Sequence, residues 1–148
     1  MLTYVIHMVM KSNQEKQLTP QSNETLYRNT VVLKEIDHSY LTYGYINGYK
    51  VKFIVDTGAT SVSIPESIAQ KIGLKKGARY QAMTANGTIT VYRTYIDKLT
   101  IGSITLIDIA ASINPSSNDD YILLGMSALR QLELQQKNNE LILIQTKW

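Results

Sequence analysis

The chain has 148 residues, 44 % of them hydrophobic and 18 % charged, with a formal net charge of +3. That balance describes one globular domain of ordinary size and excludes a disordered chain. The lysines are scattered apart from Lys75-Lys76, which argues against nucleic-acid binding, and the lack of cysteine removes disulfides and thiolate metal sites. With His7 and His38 the only histidines, an imidazole metal site is not expected either.

Residues 1–25 read as an apolar stub followed by a polar linker, and residues 26–148 as the folded domain. Met1 to Met10 carries no charge but is too short to span a bilayer, which takes about 20 residues. It is either the trailing part of a longer membrane anchor or an extra strand. The first case places the protein in the cell envelope or periplasm, the second in the cytoplasm. Lys11 to Glu24 is polar, holds Pro20 and offers little to bury.

From Leu26 onward Tyr, Val, Ile and Thr dominate and turn signals recur at short intervals, so the expected class is all-β with minor helix. Tyr40 to Ile46 and Val51 to Val55 flank Asn47-Gly48, a pair that accepts positive φ and closes tight hairpins. The second strand runs into Asp56-Thr57-Gly58, a tripeptide that occurs once. Ser61 to Ile64 is a short strand, and Pro65 to Gly73 a short helix with proline at its start and glycine at its end. Tyr80 to Met83 and Thr88 to Ile96 form a second hairpin around Ala85-Asn86-Gly87. Two strand pieces turn at Gly102-Ser103, and a polar loop over Asn114 to Asp120 precedes the apolar Tyr121 to Gly125. Met126, Leu129 and Leu132 at helical spacing predict a helix over Met126 to Glu133, and Glu140 to Thr146 a final strand. Asp108-Ile109-Ala110 also follows an apolar run, but without the hydroxyl and glycine it is no second copy of the first motif.

A carboxylate at the mouth of a buried strand, followed by a hydroxyl and a glycine, suits water activation. Asp56 would hold the water, Gly58 would let backbone approach a substrate strand, and Thr57 would turn its hydroxyl inward. Taken as a tripeptide alone, the same residues also suit an ordinary turn in which the Asp carboxylate caps nearby amides.

Ile46 to Thr60, together with Tyr121 to Leu129 downstream, resembles the retropepsin-like aspartic proteases of bacteria, relatives of the retroviral proteases. The match runs from about Tyr43 to Ile144 in the order catalytic loop, short helix, flap hairpin, apolar-apolar-glycine strand, helix and final strand. The resemblance implies a closed β-barrel with one lobe per subunit, and a homodimer in which two Asp56 carboxyls share a water. It implies peptide hydrolysis without a cofactor, with one carboxyl ionised and its partner protonated. Thr57, Gly58 and Ala59 would form the active-site loop at the dimer axis; Thr84, Ala85, Asn86, Gly87 and Thr88 the flap; and Leu123, Leu124 and Gly125 the substrate pocket. An extended peptide with apolar side chains beside the cleaved bond is the expected substrate. The final strand, Leu141 to Ile144, would be unpaired within the subunit and open to a second copy. Retroviral enzymes place an acid and an arginine where this chain has Thr60 and Met126, so that ion pair is missing and the contacts near the axis must be built differently. Two other functions compete with the endopeptidase: a non-catalytic peptide-binding or dimerisation module on the same fold, and a structural β-domain without a ligand.

Overall fold

The computed structural model describes residues 17–147. Met1 to Met10, read above as anchor or strand, lies outside the described residues, as does the start of the linker. Among the described residues no helix is long and apolar enough to cross a membrane.

Asn47 and Gly48 take φ of 50° and 85°, the positive pair that a two-residue hairpin turn of matching twist requires. They join β3 (Ser39–Ile46) to β4 (Tyr49–Val55), and β4 buries Val51 and Phe53 beneath the sheet. β5 (Val62–Pro65) leads into α1 (Glu66–Ile72), which packs Ala69 and Ile72 on the core. β6 (Arg79–Thr84) and β7 (Gly87–Ile101) form the second hairpin, and β7 continues through Gly102-Ser103 into β8 (Ile104–Asn114). β9 (Ile122–Leu124) and α2 (Met126–Leu129) follow the polar loop.

Pairing runs β3-β4-β9-β5-β8-β7, and β7 returns to β3 through Tyr45–Thr100 and Ile46–Leu99, closing a ring of strands. The fold is all-β. Phe53, Ile64, Ile96, Leu99, Ile113, Ile122 and Leu124 fill its interior at under 2 % exposure. At about 25 cal/mol per Å² of apolar surface this burial is the main stabilising contribution.

Three expectations need correction. Gln21–Glu24, read as linker, is a strand, β1, antiparallel to β2 (Arg28–Ile36). All four of its side chains are exposed, so backbone pairing and the Ser103 N–H donated to Ser22 Oγ hold it. Just before it Leu18 is buried, and its carbonyl accepts from the Thr42 hydroxyl. The predicted helix over Met126 to Glu133 stops at Leu129, because Glu133–Lys137 forms β10 and Leu132 turns in to pack on the core.

The final strand is the third correction. β11 (Glu140–Thr146) is not unpaired: β10 flanks it on one side and β2 on the other, with Leu141 opposite both Gln136 and Leu33. Its backbone donors and acceptors are engaged within the chain, so it offers no edge to a second copy.

Candidate active site

β4 delivers Asp56 to the end of the sheet, and two backbone hydrogen bonds fix the loop that follows. The Asp56 N–H donates to the Leu124 carbonyl at 3.1 Å, and the Met126 N–H to the Ala59 carbonyl at 2.8 Å. The loop is thus latched at both ends to the β9–α2 junction, with Gly125 between the latches. A Cβ on Gly125 would overlap the Ser61 carbonyl and lie 2.8 Å from the Ala59 oxygen, so only glycine lets the two backbones come this close. Ser127 adds a side-chain tie: its Oγ accepts from the Val62 N–H at 3.0 Å and donates to the Ala110 carbonyl at 2.7 Å.

The Asp56 carboxylate is half-buried, and its Oδ1 accepts from the Gly58 N–H at 2.9 Å. That bond orients the carboxylate, and the second oxygen makes no hydrogen bond within the described residues. Thr57 and Gly58 are exposed, and the Thr57 hydroxyl makes no hydrogen bond within the described residues.

Asp56 lines a cleft of about 780 Å³ between the loop and the β6–β7 hairpin. Gly58, Ala59, Thr60, Ser61 and Ser63 continue the floor, with Ser112, Asn114 and Leu123 beside them. Tyr80 to Asn86, Ile89 and Val91 form the opposite wall. Asp56 is the one charged residue of this lining. The hairpin turns at Ala85-Asn86, with Thr84 paired to Gly87, whose φ is 111°. The Thr84 hydroxyl donates to the Gly87 carbonyl at 2.7 Å and accepts from the Asn86 N–H, stiffening the tip. Lower down, the Arg93 guanidinium stacks over Tyr80.

Of the residues singled out from the sequence, Asp56, Gly58, Ala59, Thr84, Ala85, Asn86 and Leu123 meet at this cleft. Thr57, Gly87 and Thr88 are exposed beside it and do not line it. Leu124 is 1 % exposed and faces the core, because β-strand alternation sends it to the side opposite Leu123. Gly125 is buried against the loop backbone rather than open to the cleft. Ser61, Ser63, Ser112 and Asn114 also line the cleft with no sequence motif to mark them, and Thr60 lines it where the sequence showed only a missing acid. The alternation of Val62 and Ile64 with Ser61 and Ser63 carries the signal that would have placed the two serines on one face. Asp108 lies on β8, exposed and outside the cleft.

A strand-borne carboxylate thus faces a β-hairpin across this cleft, its loop stitched to a glycine-ended apolar strand. Residues 42–131 match the family described as gag-polyprotein putative aspartyl protease, and the chain belongs to that family. It is similar to the crystal structure of a retropepsin-like aspartic protease from Rickettsia conorii, with a TM-score of 0.67 and 25 % identity over 86 % of this chain and 96 % of that one. It shares its fold with the EIAV protease complexed with the inhibitor HBY-793, at a TM-score of 0.51 and 15 % identity over 65 % of this chain and 89 % of that one. An uncharacterised protein from the cobV 5′ region of Sinorhizobium sp. is 32 % identical over 118 residues, 77 % of this chain and 51 % of that protein. The chain spans about half the length of the curated relatives it matches.

Proposed function

We propose that the protein is an aspartic endopeptidase whose working site is assembled from two copies of this chain. The observation that carries the reading is one half-buried Asp56 carboxylate, oriented by the Gly58 amide, on the floor of a hairpin-covered cleft. Each chain supplies one such carboxylate, and the aspartic-protease mechanism uses two. A two-fold axis beside Asp56 supplies the second.

Two carboxyls at such an axis do not both ionise readily, so they share a proton. The ionised one removes a proton from a water as the water oxygen bonds to the peptide carbonyl carbon. The protonated one gives its proton to the carbonyl oxygen. The tetrahedral diol collapses as the C–N bond breaks: the carboxyl that took the water proton gives it to the leaving nitrogen, and the other, now ionised, takes a hydroxyl proton as the C=O bond re-forms, so the pair again holds one proton. No step needs a cofactor or a covalent intermediate.

Because β11 is paired on both sides within the chain, the subunit contacts in this reading fall on the exposed loop around Thr57 rather than on a shared C-terminal strand. The hairpin from Tyr80 to Ile96 closes over an extended peptide held by backbone hydrogen bonds. The test is incubation of the wild-type and Asp56→Asn chains with a mixed peptide library, read by mass spectrometry. Cleavage products from the wild type and none from Asp56→Asn are expected. Products from both, or from neither, reject the protease reading.

A further inference from the structure

The floor of the cleft carries serine hydroxyls beside Leu123. β5 lies between β8 and β9, and the register puts Ser112, Ser63 and Leu123 in one row across the three strands. Cross-strand neighbours in one row share a face, and here it is the face that lines the cleft with Asp56. Val62 and Ile64, on either side of Ser63, are fully buried on the opposite face. Ser112 is only 5 % exposed, and the one hydrogen bond to its hydroxyl comes from Ser61 Oγ at a long 3.4 Å. The Ser63 hydroxyl makes no hydrogen bond within the described residues. These groups have unspent hydrogen-bonding capacity at the base of a cleft that a bound peptide would seal.

We infer that Ser61, Ser63 and Ser112 form a side-chain pocket that selects an uncharged hydrogen-bonding side chain, a carboxamide or a hydroxyl, at one peptide position near the cleaved bond. The inference rests on the protease reading for its substrate and names that substrate's class. An aliphatic side chain would strip water from Ser63 and Ser112 and return no hydrogen bond, which is costly for buried hydroxyls. A charged side chain would meet no countercharge in the lining except Asp56 itself. A carboxamide or hydroxyl offers both donor and acceptor. The aliphatic wall of Leu123, Ile89 and Val91 leaves the neighbouring position to an apolar side chain. Pockets that hydrogen-bond their ligand discriminate more sharply against the analogue lacking the polar group than apolar pockets do against one carrying it.

The test uses peptides that differ at single positions by the near-isosteric pairs Asn/Leu and Thr/Val. Cleavage by the full wild-type chain is measured as kcat/KM, and anisotropy of the same labelled peptides on Asp56→Asn measures binding without turnover. At one position the polar member should be preferred about tenfold or more. Ser63→Val should reverse that ratio and leave the ratios at other positions unchanged. Ser63→Ala, which adds no volume, should bring it near unity if the valine variant fails to fold. Efficient cleavage with aliphatic preference at every position would overturn the pocket and leave the protease reading intact. Selective binding of polar peptides with no wild-type cleavage would support the pocket and reject the protease reading. Neither cleavage nor binding would reject both.

Discussion

Replacing Gly125 with alanine tests how the loop carrying Asp56 is held. The new Cβ would overlap the Ser61 carbonyl and sit 2.7 Å from its carbon and 2.8 Å from the Ala59 oxygen. All of these are backbone atoms, so no side chain can rotate away, and the loop and the β9–α2 junction must move apart. Overpacking of this kind costs about 1 to 3 kcal/mol. Parting them also strains the Met126 N–H bond to Ala59, worth about 0.5 to 1.5 kcal/mol. A total of about 3 kcal/mol in a chain of this size lowers Tm by roughly 6 to 12 °C by scanning calorimetry. Because the same displacement shifts Asp56, turnover of a cleaved peptide should fall by about a hundredfold. Gly58→Ala is the internal comparison: its Cβ would meet only Asp56 Oδ1, at 3.2 Å. It should leave the melting temperature within roughly 3 °C of wild type. If Gly125→Ala melted as the wild type does, the close approach would not be holding the loop.

Other substitutions probe the remaining parts. Thr57→Ala should weaken self-association while Thr57→Ser preserves it, since a lost hydrogen bond costs about 0.5 to 1.5 kcal/mol; equal dissociation constants in sedimentation equilibrium would contradict an axial role for this hydroxyl. Gly87→Val places a β-branched residue at a φ of 111° with nothing within 4 Å of its Cβ, so backbone strain rather than a clash should slow turnover and lower Tm by roughly 2 to 12 °C; unchanged turnover would mean that the hairpin tip does not gate the cleft. Ser127→Ala removes the acceptor of the Val62 N–H and the donor to Ala110, and should lower stability by about 1 to 3 kcal/mol in urea unfolding; a change below about 0.5 kcal/mol would show that the tie is dispensable.

The elements that the sequence disclosed are those whose side chains carry a pattern. Asn47-Gly48 demanded its turn, the apolar run before Asp56 demanded a buried strand, and Pro65 with Gly73 bracketed the helix. β1 and β10 left no such mark. Gln21–Glu24 and Glu133–Lys137 are sheet edges with mostly exposed side chains, joined by backbone bonds that any residues can make. The spacing of Met126, Leu129 and Leu132 mimicked a longer helix because Leu132 reaches the same core from the turn that follows the helix. Missing β10 had a further effect: it left Leu141 to Ile144 looking free for a partner, whereas the chain itself covers both sides. Asp56 and its loop were legible because the motif is local to a few residues. The serine row was not, since Ser63 and Ser112 are far apart in sequence and meet only through the parallel pairing of β5 with β8.

The central claim is that one active site needs Asp56 from two chains, and subunit mixing tests it most directly. Wild-type chain is equilibrated with an equal amount of Asp56→Asn chain at fixed total concentration, and cleavage of a library-selected peptide is measured. Asn keeps an oxygen that can accept the Gly58 N–H, so the variant should fold and exchange subunits normally. Random pairing leaves wild-type pairs as about one quarter of all dimers, so activity should fall to about one quarter of the all-wild-type value. A fall to only about one half, in proportion to the wild-type chain present, would mean that each chain carries a complete site of its own and would contradict the account.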